Sequence, residues 1–306
     1  MFHVKQCDGD DSMSLHPDDT PLAQELADVV VRRRRLAQEP WPLPRAPRVF
    51  TIANQKGGVG KTTTAVNIAA ALSRHGARVL VVDLDPQGNA STALGVGHDA
   101  TVLGSYEVVL GTASFRDVVR VSSDNPLLYC SPATINLAGA EIELVSMDRR
   151  EYRLADALSA LLYGGDHPPF DYVFIDCPPS LGLLTLNAFV AASEVLIPIQ
   201  CEYYALEGLS QLLGTIERIK NHLNPAVSVS TILLTMFDSR TNLAHQVADD
   251  VRQHFPAVTL RTVIPRSVRV SEAPSFGQSV LAYDEGSPGA VSYAEAALEI
   301  ATRGRS

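Results

Sequence analysis

The 306-residue sequence contains no run of 18 or more apolar residues and no charged-then-apolar leader. A membrane-spanning helix and a secretory signal are therefore not expected, and the chain reads as soluble. Cysteine is scarce: Cys7, Cys130, Cys177 and Cys201 are widely scattered, and no two have metal-site spacing. A chain of this size can bury a core without disulfides, so the four read as thiols of a reducing, cytosolic compartment. Positive charge is in deficit, with a formal net charge of −9. That argues against a generic nucleic-acid binder, and any DNA surface has to be a local patch. No internal repeat is present, and no interdomain linker follows residue 48. What is left, 46% hydrophobic and 19% charged residues, is a globular composition at a length that suits one large α/β domain or two small ones.

The chain is organised around residues 49–62, Val49-Phe50-Thr51-Ile52-Ala53-Asn54-Gln55-Lys56-Gly57-Gly58-Val59-Gly60-Lys61-Thr62. Its opening residues are apolar or β-branched and predict a buried strand. A glycine-rich turn follows, then an apolar-periodic run from Thr63 to Leu72 that predicts a helix. Strand, glycine turn and helix N-terminus make a phosphate cradle, because backbone N–H groups and the helix dipole converge on an anion. Lys61 is placed to reach terminal phosphates and Thr62 to give its hydroxyl to Mg²⁺. The strict P-loop pattern fails at Gln55, where glycine is expected, and a second lysine, Lys56, stands before Gly57-Gly58.

Two further strands end in carboxylates. Arg78 to Val82 leads into Asp83-Leu84-Asp85-Pro86-Gln87-Gly88-Asn89. In an open parallel sheet ligands lie at strand C-termini, where such carboxylates can hold a metal's waters or orient an attacking water. Phe170 to Asp176 is a Walker B pattern, with Asp176 holding Mg²⁺ through water. Cys177-Pro178-Pro179-Ser180 follows and is expected to act as a stiff switch loop, with Cys177 a packing residue. Strands are also predicted at Leu127–Cys130, 195–200, 227–235 and 260–264. Helices are predicted at 105–110, through the Leu137 to Leu162 region, at 206–222, to about His254, and at 289–302. This alternation gives one doubly wound, mainly parallel α/β sheet with helices on both faces. Ahead of it, residues 1–20 carry five aspartates and are expected to be disordered. Residues 21–38 predict a helix ending in Arg32-Arg33-Arg34-Arg35, either docked on the domain or serving as a basic arm. Residues 40–48 are a proline-rich linker.

Lys56-Gly57-Gly58-Val59-Gly60-Lys61-Thr62 resembles the deviant Walker A box of the ParA/MinD ATPase superfamily. From about Arg48 to Thr302 the chain resembles chromosomal ParA/Soj partition ATPases. Two stretches are specific to that branch: Cys201-Glu202-Tyr203-Tyr204-Ala205-Leu206-Glu207-Gly208 and Ile264-Pro265-Arg266-Ser267-Val268-Arg269-Val270-Ser271-Glu272-Ala273-Pro274. The resemblance implies an ATPase domain over 48–306 behind an extension of residues 1–47, using ATP and Mg²⁺ and releasing ADP. It implies that Lys56 crosses a dimer interface to the other subunit's nucleotide, and that Lys56, Lys61 and Asp85 are catalytic. Nucleotide contacts are implied at Lys56, Gly57, Gly58, Val59, Gly60, Lys61, Thr62 and Thr63, with an adenine pocket at Thr235-Met236 and Pro265-Arg266-Ser267. Metal contacts are implied at Thr62, Asp85 and Asp176. Family arginines of the DNA face match Arg240 and Arg269, and Arg266 and Lys220 can join the patch.

The implied cycle is ATP-dependent homodimerisation and sequence-blind binding of double-stranded DNA, followed by release after slow hydrolysis stimulated by a ParB-type partner. It drives segregation of ParB-bound origin regions in a cytoplasmic, nucleoid-associated protein without integral membrane association. A polar scaffold protein is a further expected partner of the N-terminal arm. The first rival, a MinD-like membrane-associated division regulator, needs a C-terminal amphipathic helix, and the sequence after Leu298 is short and weakly apolar. The second, a nitrogenase-type reductase, needs two suitably placed cysteines, and only Cys130 has a matching context.

Overall fold

The computed structural model describes residues 21–165, 169–203 and 205–303, without the side chains of residues 21–26. The expectation for residues 1–20 lies outside them. Eight strands form one sheet: β1 (Arg48–Ile52), β2 (Val79–Asp83), β3 (Arg120–Val121), β4 (Leu128–Ser131), β5 (Tyr172–Asp176), β6 (Glu194–Gln200), β7 (Ser228–Phe237) and β8 (Thr259–Pro265). Their spatial order is β3-β4-β2-β5-β1-β6-β7-β8. Every neighbouring pair is parallel except β3–β4.

The central strands are apolar at almost every position because helices cover both faces. Side chains alternate between the two cores as the period of two demands. Val79 and Val81 pack under the helices Lys61–Arg74 and Pro288–Arg303, whereas Leu80 and Val82 pack under Leu137–Leu144 and Arg153–Tyr163. In register, Ile52 and Asp83 both lie beside Asp176, so the C-terminal ends of β1, β2 and β5 meet at one point. The strand order reverses there, which is where an open α/β sheet offers a crevice.

The Leu137 to Leu162 region is two helices, not one. Between them Arg149 takes φ 52°, a left-handed conformation that ends helical continuation. Asn187 secures the break by donating to the Arg150 carbonyl and accepting from the Leu154 N–H. Asn187 belongs to a helix, Leu183–Ala191, that periodicity does not reveal, because most of its faces are buried.

The helix Pro21–Gln38 packs against the C-terminal helix Pro288–Arg303. Val29 and Leu36 enter the main core while Val30 stays exposed. Arg32 makes a forked pair with Glu295 at 2.9 and 2.6 Å and donates to Ser292 at 2.9 Å. The Trp41 ring stacks on His75 at 3.7 Å with planes 5° apart, and its N–H donates to the Leu36 carbonyl. Among the described residues no helix is long and apolar enough to cross a membrane.

Candidate nucleotide site

The loop after β1 turns through Gly58 and Gly60, at φ 75° and 89°. Space around both is open, so the left-handed backbone and not crowding requires glycine there. Helix Lys61–Arg74 starts at Gly60 with no capping side chain among the described residues. Its first-turn N–H groups are therefore available to an anion. They border a cavity of about 580 Å³ lined by Gly57, Gly58, Gly60, Lys61, Thr62, Thr63, Asp85, Pro179 and Met236, among others. Val59 is buried beneath the loop, and its carbonyl accepts from the Thr235 hydroxyl of β7 at 2.9 Å.

Lys61 is 8% exposed, and its ammonium donates to the Lys56 carbonyl at 3.3 Å. Burial lowers its pKa, opposed by the nearby carboxylates of Asp176 and Asp85. Asp83 and Asp176 face each other across β2 and β5, both fully buried. Burial raises Asp83 to about 6, against hydrogen bonds from the Ser91 hydroxyl, the Ser91 N–H and the Asp85 N–H. Burial first, and Asp83 next, push Asp176 well above the usual carboxylate range. The Thr62 hydroxyl lies beside this carboxylate. Even so, neither Asp176 oxygen has a well-formed hydrogen bond among the described residues.

An orphaned buried carboxylate is rare in a folded protein and calls for a missing partner. Asp176, Thr62 and Asp85 together offer only oxygen, the donor set of a hydrated Mg²⁺ ion. No three His, Cys, Asp or Glu side chains among the described residues could hold a metal by themselves. Water and phosphate would have to complete the shell, as suits magnesium.

The far wall is only partly as expected. Met236 lines the cavity, whereas Pro265 and Arg266 do not. Pro265 pairs with Phe237, and the Arg266 N–H donates to the Phe237 carbonyl, so both extend β8 instead. Their place is taken by Ala273, Pro274, Ser275, Gln278 and Val280. Asn67 fixes this wall: its Oδ1 accepts from the Val280 N–H at 2.8 Å, and its Nδ2 donates to the Thr63 carbonyl. Asn67, Thr92 and Ala93 also line the cavity but carry no sequence signal of their own, whereas Asn89 closes the Asp83–Asn89 stretch and Ala273-Pro274 closes the Ile264–Pro274 stretch.

Lys56 does not line the cavity. It sits on the outer lip, half exposed, ion-paired with Glu202. Arg240 and Arg266 both flank Asp238, whose carboxyl Arg240 above all holds well below its usual range. Arg269, three residues on, pairs with Glu272 and Asp284. Lys220 stands apart: helix Ala205–His222 runs back from the C-terminal end of β6, so its last turn lies at the opposite rim of the sheet. Cys130 and Cys177 are fully buried, and burial pushes both thiols well above their usual range. Neither can act as a nucleophile or reach a second subunit. The helix Pro288–Arg303 is packed into the core from Gly289 to Ala301, so it is no free membrane anchor.

A family model described as an AAA domain matches residues 47–229. The chromosome partitioning protein ParA of Caulobacter vibrioides is 52% identical over 258 residues, 84% of this chain and 95% of that protein. The sporulation initiation inhibitor protein Soj of Bacillus subtilis is 49% identical over 257 residues, 84% of this chain and 99% of that protein. A solved Mycobacterium smegmatis structure, named cobyrinic acid a,c-diamide synthase with a bound ATP analogue and magnesium, is 40% identical with a TM-score of 0.70; the match covers 82% of this chain and 93% of that one. The phosphate cradle, the paired strand-end carboxylates and these likenesses converge: the chain belongs to the ParA/Soj family of chromosome-partitioning ATPases, and it hydrolyses ATP.

Proposed function

We propose that ATP pairs two copies of this chain face to face, that the pair binds double-stranded DNA without sequence preference, and that a ParB-type partner triggers hydrolysis and release. The observation that carries this reading is the position of Lys56, on the loop's outer lip and outside its own cavity. A cation there serves phosphate chemistry only if a second nucleotide comes to meet it. A second support is helix Leu137–Leu144, which buries Leu137, Ala140 and Leu144 yet leaves Ile142 exposed beside exposed Ile135 and Val145. A helix apolar on both sides is one that something covers.

Within the site Lys61 holds phosphate charge, Thr62 and Asp176 hold the cation and its waters, and Asp85 orients the attacking water. Magnesium, when bound, neutralises charge on the phosphate oxygens. Excluding water by pairing strengthens each of these interactions. The DNA face is built on Arg240, Arg266 and Arg269, and pairing doubles it. The protein then works on the nucleoid.

The test is DNA binding with ATP, with ADP and without nucleotide, across a salt series. Six arginine–phosphate contacts per pair give a slope of log affinity against log salt of about −5 with ATP. Equal affinity in all three nucleotide states would overturn the reading.

A further inference from the structure

Lys56 is tied down at three points. Its ammonium pairs with Glu202, whose other carboxylate oxygen accepts from the Gln200 side-chain amide. The Glu202 N–H also donates to the Gln200 carbonyl, so the carboxylate is fixed in a tight turn at the end of β6. The Lys56 N–H donates to Asn54 Oδ1 at 3.0 Å, and the Asn54 amide donates to the Pro198 carbonyl of the same strand at 2.9 Å. The Lys56 carbonyl accepts from the Lys61 ammonium. Two ties run to β6, and the third runs to the side chain best placed to take a phosphate.

We propose that Glu202 is a positioning residue that restrains Lys56 in the unpaired protomer, so that the Lys56–Glu202 contact has to break before Lys56 can serve a second copy. The inference rests on the pairing reading above. It adds a link to nucleotide. Phosphate entering the cavity draws the Lys61 ammonium from the Lys56 carbonyl, which loosens the third tie and favours release of the first. If Lys56 kept Glu202 on pairing, the contact would be an ordinary surface ion pair, half exposed on both sides, with no influence on assembly.

An exposed pair of this kind restrains its partner by about 1.4- to 5-fold. A symmetric dimer breaks two of them, so the factors multiply to about 2- to 25-fold. Glu202→Gln should therefore raise the ATP-dependent pairing constant by that factor at low salt, measured by sedimentation, and the gap should close as salt rises. A second readout is direct. The chain has four lysines, Lys5, Lys56, Lys61 and Lys220, so acetylation at each can be followed by peptide mass spectrometry. In the nucleotide-free protein Glu202→Gln should speed acetylation of Lys56 relative to Lys220. Unchanged labelling overturns the restraint. Weakened pairing also overturns it, since Glu202 would then be making a contact across the interface. If the wild type fails to pair with ATP, the pairing reading falls, and the labelling still decides whether Glu202 restrains Lys56.

Discussion

Asp176→Asn should stabilise the protein without ligand and abolish its response to ligand. The wild-type carboxylate is fully buried, has no well-formed hydrogen bond among the described residues and faces Asp83 across adjacent strands. Leaving a buried polar group unsatisfied costs about 1–3 kcal/mol, and more when it is charged. Asparagine keeps the shape and removes the charge but leaves a buried amide in its place, so the gain is the extra cost of the charge, about 1–2 kcal/mol. For a domain of this size that is about 2–8 °C in melting temperature.

The pH dependence has a definite sign. The folded-state pKa of Asp176 is raised, by burial first and Asp83 second. Below the ordinary carboxylate range the group is protonated in both states and costs nothing. As pH rises through that range the unfolded chain ionises first, and stability falls until the raised folded pKa is reached. The advantage of the variant should therefore be larger at pH 8 than at pH 5. With Mg-ATP at about 100 times its Kd the wild type should gain about 2.7 kcal/mol, and the variant should gain little. The melting order thus inverts on adding ligand. Scanning calorimetry at both pH values, with and without Mg-ATP, reads all four conditions. A variant that melts at or below the wild type without ligand at pH 8 would refute the claim that Asp176 is held at a cost.

Lys61→Ala should lose nucleotide binding by at least tenfold in calorimetric titration, because no other ammonium lines the cavity among the described residues. Asp85→Ala should still bind ATP and pair, while phosphate release falls about 100-fold; wild-type turnover would displace Asp85 from the mechanism. Arg269→Glu should abolish DNA retention at low salt while sedimentation still detects ATP-driven pairing. Arg32→Ala removes the forked pair to Glu295 and should destabilise the packing of helix Pro21–Gln38 by about 1.5–3 kcal/mol. Hydrogen exchange should then rise across that helix and leave β1 protected.

The nucleotide cradle was readable because each part is local. An apolar run ending in Asp85 or Asp176 declares a buried strand and its charged end in one stretch, and the glycines at 58 and 60 mark a turn that only they can make. What escaped is what depends on distance or uniformity. Helix Leu183–Ala191 is apolar on most sides, so it has no periodic stripe to detect. The Leu137–Tyr163 break hangs on Asn187, from outside the segment. The far wall of the cavity is held by Asn67 reaching Val280, 213 positions away, and no spacing rule spans that. Arg266 and Lys220 are both basic and exposed, but only the topology shows that one joins Arg240 and the other lies at the opposite rim.

Trp41 is the single tryptophan of the chain, and it lies flat against His75, the residue that ends the helix Lys61–Arg74. Burial, with Arg74 second, lowers the pKa of that imidazole and keeps it neutral near pH 7. Neutral imidazole leaves a stacked indole bright, whereas the imidazolium dims it. The molecule therefore carries its own optical gauge, a single indole set at the far end of the helix whose near end borders the phosphate cradle. No dye has to be attached to watch that end of the protein during turnover.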